Sequence, residues 1–299
     1  MAASLRINEA WAPYRVAFRL TWVIESWETS RPTLTSTPAG ITCGSTCSAS
    51  FASGTSVNLT ATPGAGSTFT GWSGACSGTG ACTVTLSQAQ NVTATFAATA
   101  TAIRFVQVAA ATPQKATQTV TVPYPSAQTA GNLSIIVVGW NDATSTVQSV
   151  TDSRGNTYTL AIGPTTGTGI RQSIYYAPAI VGGTTTVTVT FNQAASFPDI
   201  RILEYAGVTT LDKTAGASGN GTSANSGSVT STAAAELLVG ANTVATATRS
   251  AGSNFTSRII TKPDSDLVED RIVSATGSYS ASASLKSAGP WVMQLVTFK

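Results

Sequence analysis

The sequence predicts an all-β protein. Charged residues make up only 10% of the 299 residues, and no long segment carries apolar residues at helical spacing. Apolar residues instead recur at every second position in short runs rich in Val and Thr. These runs are separated by Gly, Pro and Asn, which is typical of strands joined by tight turns. The length allows two domains of ordinary size.

The first 31 residues form an atypical segment with one predicted strand, at 15–25. Val16, Phe18 and Leu20 alternate with polar or small neighbours, so the strand has one apolar face and must pair with strands later in the chain. Residues 1–31 also hold three of the six tryptophans. Because Arg and Glu interrupt every apolar run here, we expect the export signal to lie outside this chain, and we expect no membrane span.

Residues 32–97 are predicted to form a small β module held by disulfides. The stretch from Pro32 to Ala100 contains no Asp, Glu, Lys or Arg, yet it holds all four cysteines. Such cysteine usage predicts disulfides and an oxidising compartment. Strands are predicted at 56–62, 68–72, 82–86 and 91–96.

The local cysteine pairs Cys43–Cys47 and Cys76–Cys82 are favoured because each pair brackets a turn that contains Gly. The alternative is a zinc site in which all four thiolates are ligands.

Within this module, residues 33–96 resemble the divergent internalin-type B-repeat. The resemblance rests on Gly54 before the Val57/Leu59 strand, Pro63, the Phe69-Thr-Gly-Trp72 strand and the closing Val92-Thr-Ala-Thr-Phe96 strand. It implies a β-grasp-like fold and a bacterial secreted or surface protein. Members of the family begin with a further strand, so either the strand near residue 15 substitutes for it or the repeat is truncated.

After a small-residue linker at 98–102, residues 103–299 are predicted to form a larger two-sheet β-sandwich of jelly-roll or immunoglobulin-like type. The segment 214–228, rich in Gly, Ser and Asn, is predicted to be a loop. A faint similarity between 119–140 and 228–244 is compatible with an internal duplication, although it does not require one. Strands are predicted at 103–109, 117–122, 133–140, 147–151, 157–162, 172–177, 185–191, 199–205, 236–244, 255–261, 267–274, 279–285 and 291–298.

This larger domain resembles an uncharacterised β-sandwich module of bacterial secreted proteins, and that resemblance implies no activity. It rests on Ala130-Gly-Asn-Leu before an apolar strand, Val150-Thr-Asp-Ser-Arg-Gly-Asn-Thr-Tyr158, Ile202-Leu-Glu-Tyr205, and the closing Trp291 and Phe298.

The absence of histidine from the chain excludes most nucleophile chemistry. Without imidazole there is no Ser–His–Asp or Cys–His system and no His-ligated metal. The net charge of +3, with no Lys/Arg cluster, predicts no nucleic-acid binding. Glycoside hydrolysis needs only paired carboxylates, and the candidates are Glu204 with Asp199 or Asp152. Each of the three also has a structural interpretation, as a strand-end or turn residue.

Two further groups of residues could bind ligands. Asp264, Asp266, Glu269 and Asp270 place four carboxylates close together, which suits calcium, although a solvated loop neutralised by Lys and Arg is the favoured interpretation. Aromatic residues that could stack on sugars, or else belong to the core, are Trp140, Tyr175, Tyr176 and Trp291.

These observations predict a non-catalytic extracellular or cell-surface module that acts as a spacer, adhesion or binding scaffold. Its expected partner is a glycan or a protein, and no cofactor is expected apart from calcium at the acidic segment. One alternative is a carbohydrate-active module, either glycan-binding or a His-free glycosidase. The other is a structural protein that self-assembles through the strand near residue 15.

Overall fold

The described part of the chain is built of β-strands without helices, so the predicted fold class is confirmed. The computed structural model describes residues 15–21, 32–43, 47–64, 66–98 and 102–299. The chain divides into two compact units between Thr101 and Ala102, inside the predicted linker. In these ranges no helix has the length and apolar character needed to cross a membrane.

The first unit consists of two four-stranded sheets around one core. Its strands are β1 (Arg15–Thr21), β2 (Thr33–Thr37), β3 (Thr42–Cys43), β4 (Ser48–Ser50), β5 (Ser56–Thr62), β6 (Ser67–Gly74), β7 (Cys82–Thr85) and β8 (Gln90–Ala98). The sheet orders are β4-β1-β8-β6 and β3-β2-β5-β7. Because alternate residues of a strand face opposite sides, Val57 and Leu59 of β5 enter the core with Val92 and Ala94 of β8.

Strand β1 hydrogen-bonds within its own unit. Residues Arg15–Ala17 pair antiparallel with β4, and Val16–Thr21 pair parallel with β8. The strand predicted at 15–25 is thus present at Arg15–Thr21 and pairs with two strands of the disulfide-held module. The self-assembly alternative needed this strand to be free, and the structure does not support it.

Both predicted disulfides are present. Cys43–Cys47 joins β3 to the residue before β4, and Cys76–Cys82 joins the segment after β6 to the start of β7. No free cysteine exists among the described residues, which removes the zinc alternative. Beside the second disulfide the buried Trp72 donates its indole N–H to the Gly80 carbonyl at 2.9 Å, so the uncharged stretch 32–100 is stabilised by cystines and an indole.

The second unit contains sixteen strands in four sheets. They are β9 (Arg104–Ala111), β10 (Thr117–Pro123), β11 (Leu133–Trp140), β12 (Val147–Asp152), β13 (Thr159–Thr166), β14 (Arg171–Ala177), β15 (Thr186–Ala195), β16 (Asp199–Ala206), β17 (Leu211–Asn225), β18 (Val229–Thr230), β19 (Glu236–Val244), β20 (Thr248–Ala251), β21 (Thr256–Ile260), β22 (Leu267–Val273), β23 (Ser278–Tyr279) and β24 (Ser282–Phe298).

The two halves of this unit repeat the same topology. One large sheet has the order β13-β14-β11-β16-β9, and the other has β21-β22-β19-β24-β17, which is the same order with every number raised by eight. In the small sheet β10-β15-β12, the first two strands correspond to the pair β18-β23. The counterpart of β12 is β20, which pairs with β24 of the large sheet rather than with β23. The faint similarity between 119–140 and 228–244 is therefore one part of a full structural repeat.

The two large sheets pack face to face through equivalent residues. Leu133, Ile135 and Val137 of β11 share a core with their counterparts Leu237 and Val239 of β19. The opposite faces of β11 and β19 are covered by a second core in each half, so every residue of both strands is buried. This explains why these strands read as continuous apolar runs rather than as alternating patterns.

Strand β17 occupies most of the segment predicted to be a loop, so that prediction was wrong. Its residues pair with β24 from Leu211 to Asn225. Glycine is required here for close packing, because a Cβ on Gly219 would lie 2.5 Å from Cζ2 of Trp291. Gly219 therefore belongs to a strand on which a neighbouring indole packs closely.

Replacing Cys76 and Cys82 together by serine should lower the free energy of unfolding of the first unit by about 2–3 kcal/mol, because the open chain regains loop entropy. Differential scanning calorimetry of the oxidised protein would measure the loss. The control is Ser77→Ala in the same exposed turn, for which we expect a change within about 0.5 kcal/mol. Equal stability of the double variant and the parent protein would contradict this role of the disulfide.

Gly219→Val should destabilise the second unit by roughly 1–3 kcal/mol, since the new side chain would collide with Trp291. A loop at this position would tolerate valine, and strand propensity alone would favour it. Urea unfolding distinguishes these cases, with Ser218→Val on the exposed neighbouring position as the control. A stabilising effect of Gly219→Val would contradict the placement of β17.

Candidate functional site

Glu204, the first catalytic candidate, is a buried brace between strands. Its Oε1 accepts hydrogen bonds from the Thr129 N–H at 2.9 Å and from Asn132 Nδ2 at 2.6 Å. Its Oε2 accepts one from Gln107 Nε2 at 2.5 Å. These donors lie on β9 and on the segment before β11, so the carboxylate ties both to β16. A carboxylate that is fully buried and bonded in this way has a structural role.

Asp199 cannot act together with Glu204. Five positions separate them on β16, so alternation directs them to opposite faces of the sheet. Glu204 shares its face with Ile200 and Ile202 of the outer core, whereas Asp199 shares the other face with Arg201. The predicted convergence of these two carboxylates in one cleft was wrong, because an odd separation along a strand excludes it.

Asp152 organises a turn. Its Oδ1 accepts hydrogen bonds from the N–H groups of Arg154 and Asn156, at 2.8 and 3.1 Å. Its Oδ2 accepts from Asn156 Nδ2 at 2.8 Å and from the Tyr158 hydroxyl at 2.9 Å. Four donors occupy this carboxylate, which is the turn role that the sequence offered as the alternative.

The four calcium candidates do not form a single site. Alternation along β22 turns Glu269 and Asp270 to opposite faces of the sheet. Glu269 accepts backbone hydrogen bonds from Gly252 and Ser282, and Asp270 pairs with Arg258 at 2.8 Å. Among the residues that the structure describes, no three His, Cys, Asp or Glu side chains are arranged to hold a metal ion. Asp264 and Asp266 line one cleft, in the segment between β21 and β22.

The four aromatic candidates do not form a common stacking surface. Trp140 is 1% exposed and packs edge-to-face on Phe191, with ring centroids 5.6 Å apart. Tyr175 and Tyr176 are adjacent in β14 and face different cores. Trp291 packs over Gly219 and against the outer core of the second half. A surface role for Trp140 is excluded, because its ring fills the core of the first half.

Arg201 is the buried charge around which acidic residues gather. The side chain lies between the two large sheets and is 0% exposed. Its Nη1 donates to the carbonyls of Asn242 and Leu267, at 2.6 and 3.1 Å. Its Nε lies 2.9 Å from Oδ1 of Asp199, and its Nη2 lies 3.8 Å from Oδ2 of Asp266. A buried guanidinium needs such partners to offset its lost hydration.

Burial raises the pKa of the Asp199 and Asp266 carboxyl groups. The Arg201 guanidinium beside them opposes the rise. Thr261 connects the two residues, because its hydroxyl donates to Asp199 Oδ2 at 2.5 Å and accepts from the Asp266 N–H at 3.1 Å. The cluster joins residues that the sequence had assigned to two different functions, Asp199 to catalysis and Asp266 to calcium.

An open cleft of about 270 Å³ lies at the end of this cluster. Both halves of the second unit contribute, because Gln114, Asn141 and Phe197 belong to the first half, and Thr246, Asp264 and Asp266 belong to the second. The sequence interpretation missed Arg201, Gln114 and Phe197. The signal for Arg201 was its opposite charge two positions from Asp199 in an apolar strand, which indicates a buried ion pair. No pattern in the sequence indicated Gln114 or Phe197 as lining residues.

Comparison with known proteins identifies part of the first unit. Residues 32–100 match the family model described as the divergent InlB B-repeat domain, in agreement with the resemblance seen in the sequence. No curated protein and no solved structure matches the chain. The match indicates a bacterial surface-type module, and with the two disulfides it is consistent with an extracellular or surface protein.

Burial raises the pKa of Glu269 to about 7, and the charge of Asp270 adds to the rise. The hydrogen bonds from Gly252 and Ser282 act in the opposite direction and lower the pKa. The folded protein therefore binds this proton more tightly than the unfolded chain. The free energy of unfolding should fall between about pH 4.5 and pH 7, by roughly 3 kcal/mol from this group. Glu269→Gln should flatten that part of the profile in urea titrations across this range. Parallel profiles for the two proteins would contradict the assignment.

Proposed function

We propose that this chain is a non-catalytic extracellular module of a bacterial secreted or surface protein, acting as a spacer or binding scaffold. The observation that carries the proposal is the first unit, in which a B-repeat match coincides with two disulfides and no charged residue from 32 to 100. Disulfides persist where no cytosolic reductant opens them. A uniformly polar, uncharged strand surface suits a spacer exposed to solvent.

The placement of the acidic residues supports a scaffold rather than a hydrolase. A glycosidase requires one carboxyl group to donate a proton to the leaving oxygen and a second one to attack or to activate water. Glu204 and Asp152 are instead occupied by hydrogen-bond donors from the protein. Asp199 lies beside the buried Arg201, on the opposite face from Glu204. All three carboxylates therefore serve the stability of the fold.

The export part of the proposal can be tested by directing the chain to the periplasm of a bacterial host and titrating thiols in denaturant. Of the four cysteines, we expect none to react. We also expect the exported protein to melt at a higher temperature than the same protein after reduction. Reactive thiols in the exported protein, or identical melting after reduction, would overturn this part.

The non-catalytic part can be tested against a panel of soluble and insoluble bacterial and plant polysaccharides. We expect no release of reducing sugar ends, and any saturable retention by one polymer would identify a binding partner. Glu204→Gln is the control variant. Sugar release by the parent protein that Glu204→Gln abolishes would overturn the proposal in favour of a His-free glycosidase.

A further inference from the structure

Strand β17 lies at the edge of its sheet and directs backbone groups away from its neighbour. Its hydrogen-bonded neighbour in the sheet is β24. The Pro290 carbonyl of β24 accepts a hydrogen bond from the Ala245 N–H at 3.0 Å, so the backbone of Pro290 faces the other side of β24. Asn220 lies opposite Pro290 in the antiparallel ladder. Because bonded and non-bonded pairs alternate in such a ladder, the N–H and C=O of Asn220 point away from β24.

The same orientation recurs at every second residue of this strand. The ladder between β17 and β24 has no register shift from Thr214 to Gly221, so the alternation is unbroken over these residues. The outward-facing residues are Thr214, Gly216, Ser218 and Asn220, and all four are exposed. Within the described ranges, no other strand pairs with them and no turn or loop bonds their backbone. We call their outward N–H and C=O groups the β17 edge, and they are open to a further strand.

The other three edges of the two large sheets are protected in ways that the β17 edge is not. Strand β13 contains Pro164 and two register shifts. Strand β21 contains Arg258 and one shift, and β9 begins at Arg104 and also contains a shift. Charges, proline and bulges are the usual means by which a sheet edge avoids pairing with other chains. Residues 214–221 of β17 contain none of these.

We propose that the β17 edge pairs with the same edge of a second copy of this chain. The two strands run antiparallel about a twofold axis at Ala217. This axis places Gly216 opposite Ser218 of the copy, and Thr214 opposite Asn220 of the copy. In this register the outward-facing residues of each strand meet those of the other, so every N–H and C=O of the two edges is hydrogen-bonded. The contact closes as a dimer, because both copies contribute the same residues.

The side chains and charges of β17 favour this arrangement. On the other face of the strand Ala217 lies opposite Ala217 of the copy, and Ala215 lies opposite Gly219, so no bulky group separates the two backbones. The charged residues Asp212 and Lys213 precede the paired segment, and antiparallel pairing sends those of the two copies to opposite ends. Parallel pairing in register would set like charges against each other. A second copy therefore supplies an uncharged strand that matches this edge.

The dimer should be weak, because one pair of edge strands buries little surface and interfaces below about 1,200 Å² are typically transient. We therefore expect a dissociation constant of about 10–100 µM. The inference adds a contact between copies to the scaffold function and does not depend on it, since association is measured on the purified protein whatever its location.

Sedimentation equilibrium of the full chain measures the association. We expect the weight-average molar mass to rise from that of one chain towards that of two between about 1 µM and 500 µM. Ser218→Pro should weaken the association by about tenfold or more, because proline removes an outward N–H and its ring blocks the approach of the copy. The ladder with β24 does not use this N–H, so we expect the variant to remain folded.

A pair of charge variants tests the register. Ala217→Lys and Ala217→Glu should each weaken the association by about tenfold or more, because the twofold axis brings two like charges together. An equimolar mixture of the two variants should associate again, since opposite charges then meet. The matched controls are Ser228→Lys and Ser228→Glu, in the exposed segment after β17, and both should leave the association unchanged. Thermal melting of each variant verifies that it is folded.

A chain that stays monomeric up to about 500 µM would overturn the proposal. Association that survives in both Ser218→Pro and Ala217→Lys would overturn it as well, because another surface would then carry the contact. A mixture of the two Ala217 variants that stays monomeric would overturn the register. None of these results depends on the thiol titration that tests the scaffold function, so the two proposals can fail separately.

Discussion

The burial of β11 and β19 on both faces is the constraint from which the second unit is built. Two large sheets meet face to face, and each is covered on its other side, so the central strands contact no solvent. Any polar side chain between these sheets must find its partners inside the protein. Arg201 satisfies this requirement by reaching carbonyl groups of the opposite half, so it connects the two halves as well as neutralising its carboxylates.

The repeat explains why most of the acidic residues are structural. Each half closes its outer core with turns and edge strands whose backbone groups need acceptors, and carboxylates at Glu204, Asp152 and Glu269 provide them. The two halves are not identical at their junction, where Asp264 and Asp266 stand beside Gln114 of the first half. The cleft lies at this boundary of the repeat, where the two halves differ.

Local patterns in the sequence predicted much of the fold. The alternation around Val57 and the apolar run at 133–140 gave strands in the right places, since side-chain burial follows the two-residue period or a fully buried run. Strand β17 was not predictable, because Gly219 is explained only by the Trp291 ring that covers it, and the strand itself by pairing with a strand much later in the chain. Phe197 was missed for a similar reason, since it is 45% exposed beside a Ser196 whose N–H donates to Asp142, a residue far away in the chain.

By itself the sequence determined the all-β class, the local disulfides and the B-repeat, because these depend on composition, on cysteines close in the chain and on short strand patterns. The tertiary structure alone decided which charged groups meet. It brought Asp266, which precedes β22, beside Asp199 and Arg201 of β16, whereas the two-residue period of the strands by itself placed Glu204 and Asp199 on opposite faces. The physical reason is that a strand fixes only the face on which a side chain lies, whereas the stacking of sheets decides which groups that side chain meets.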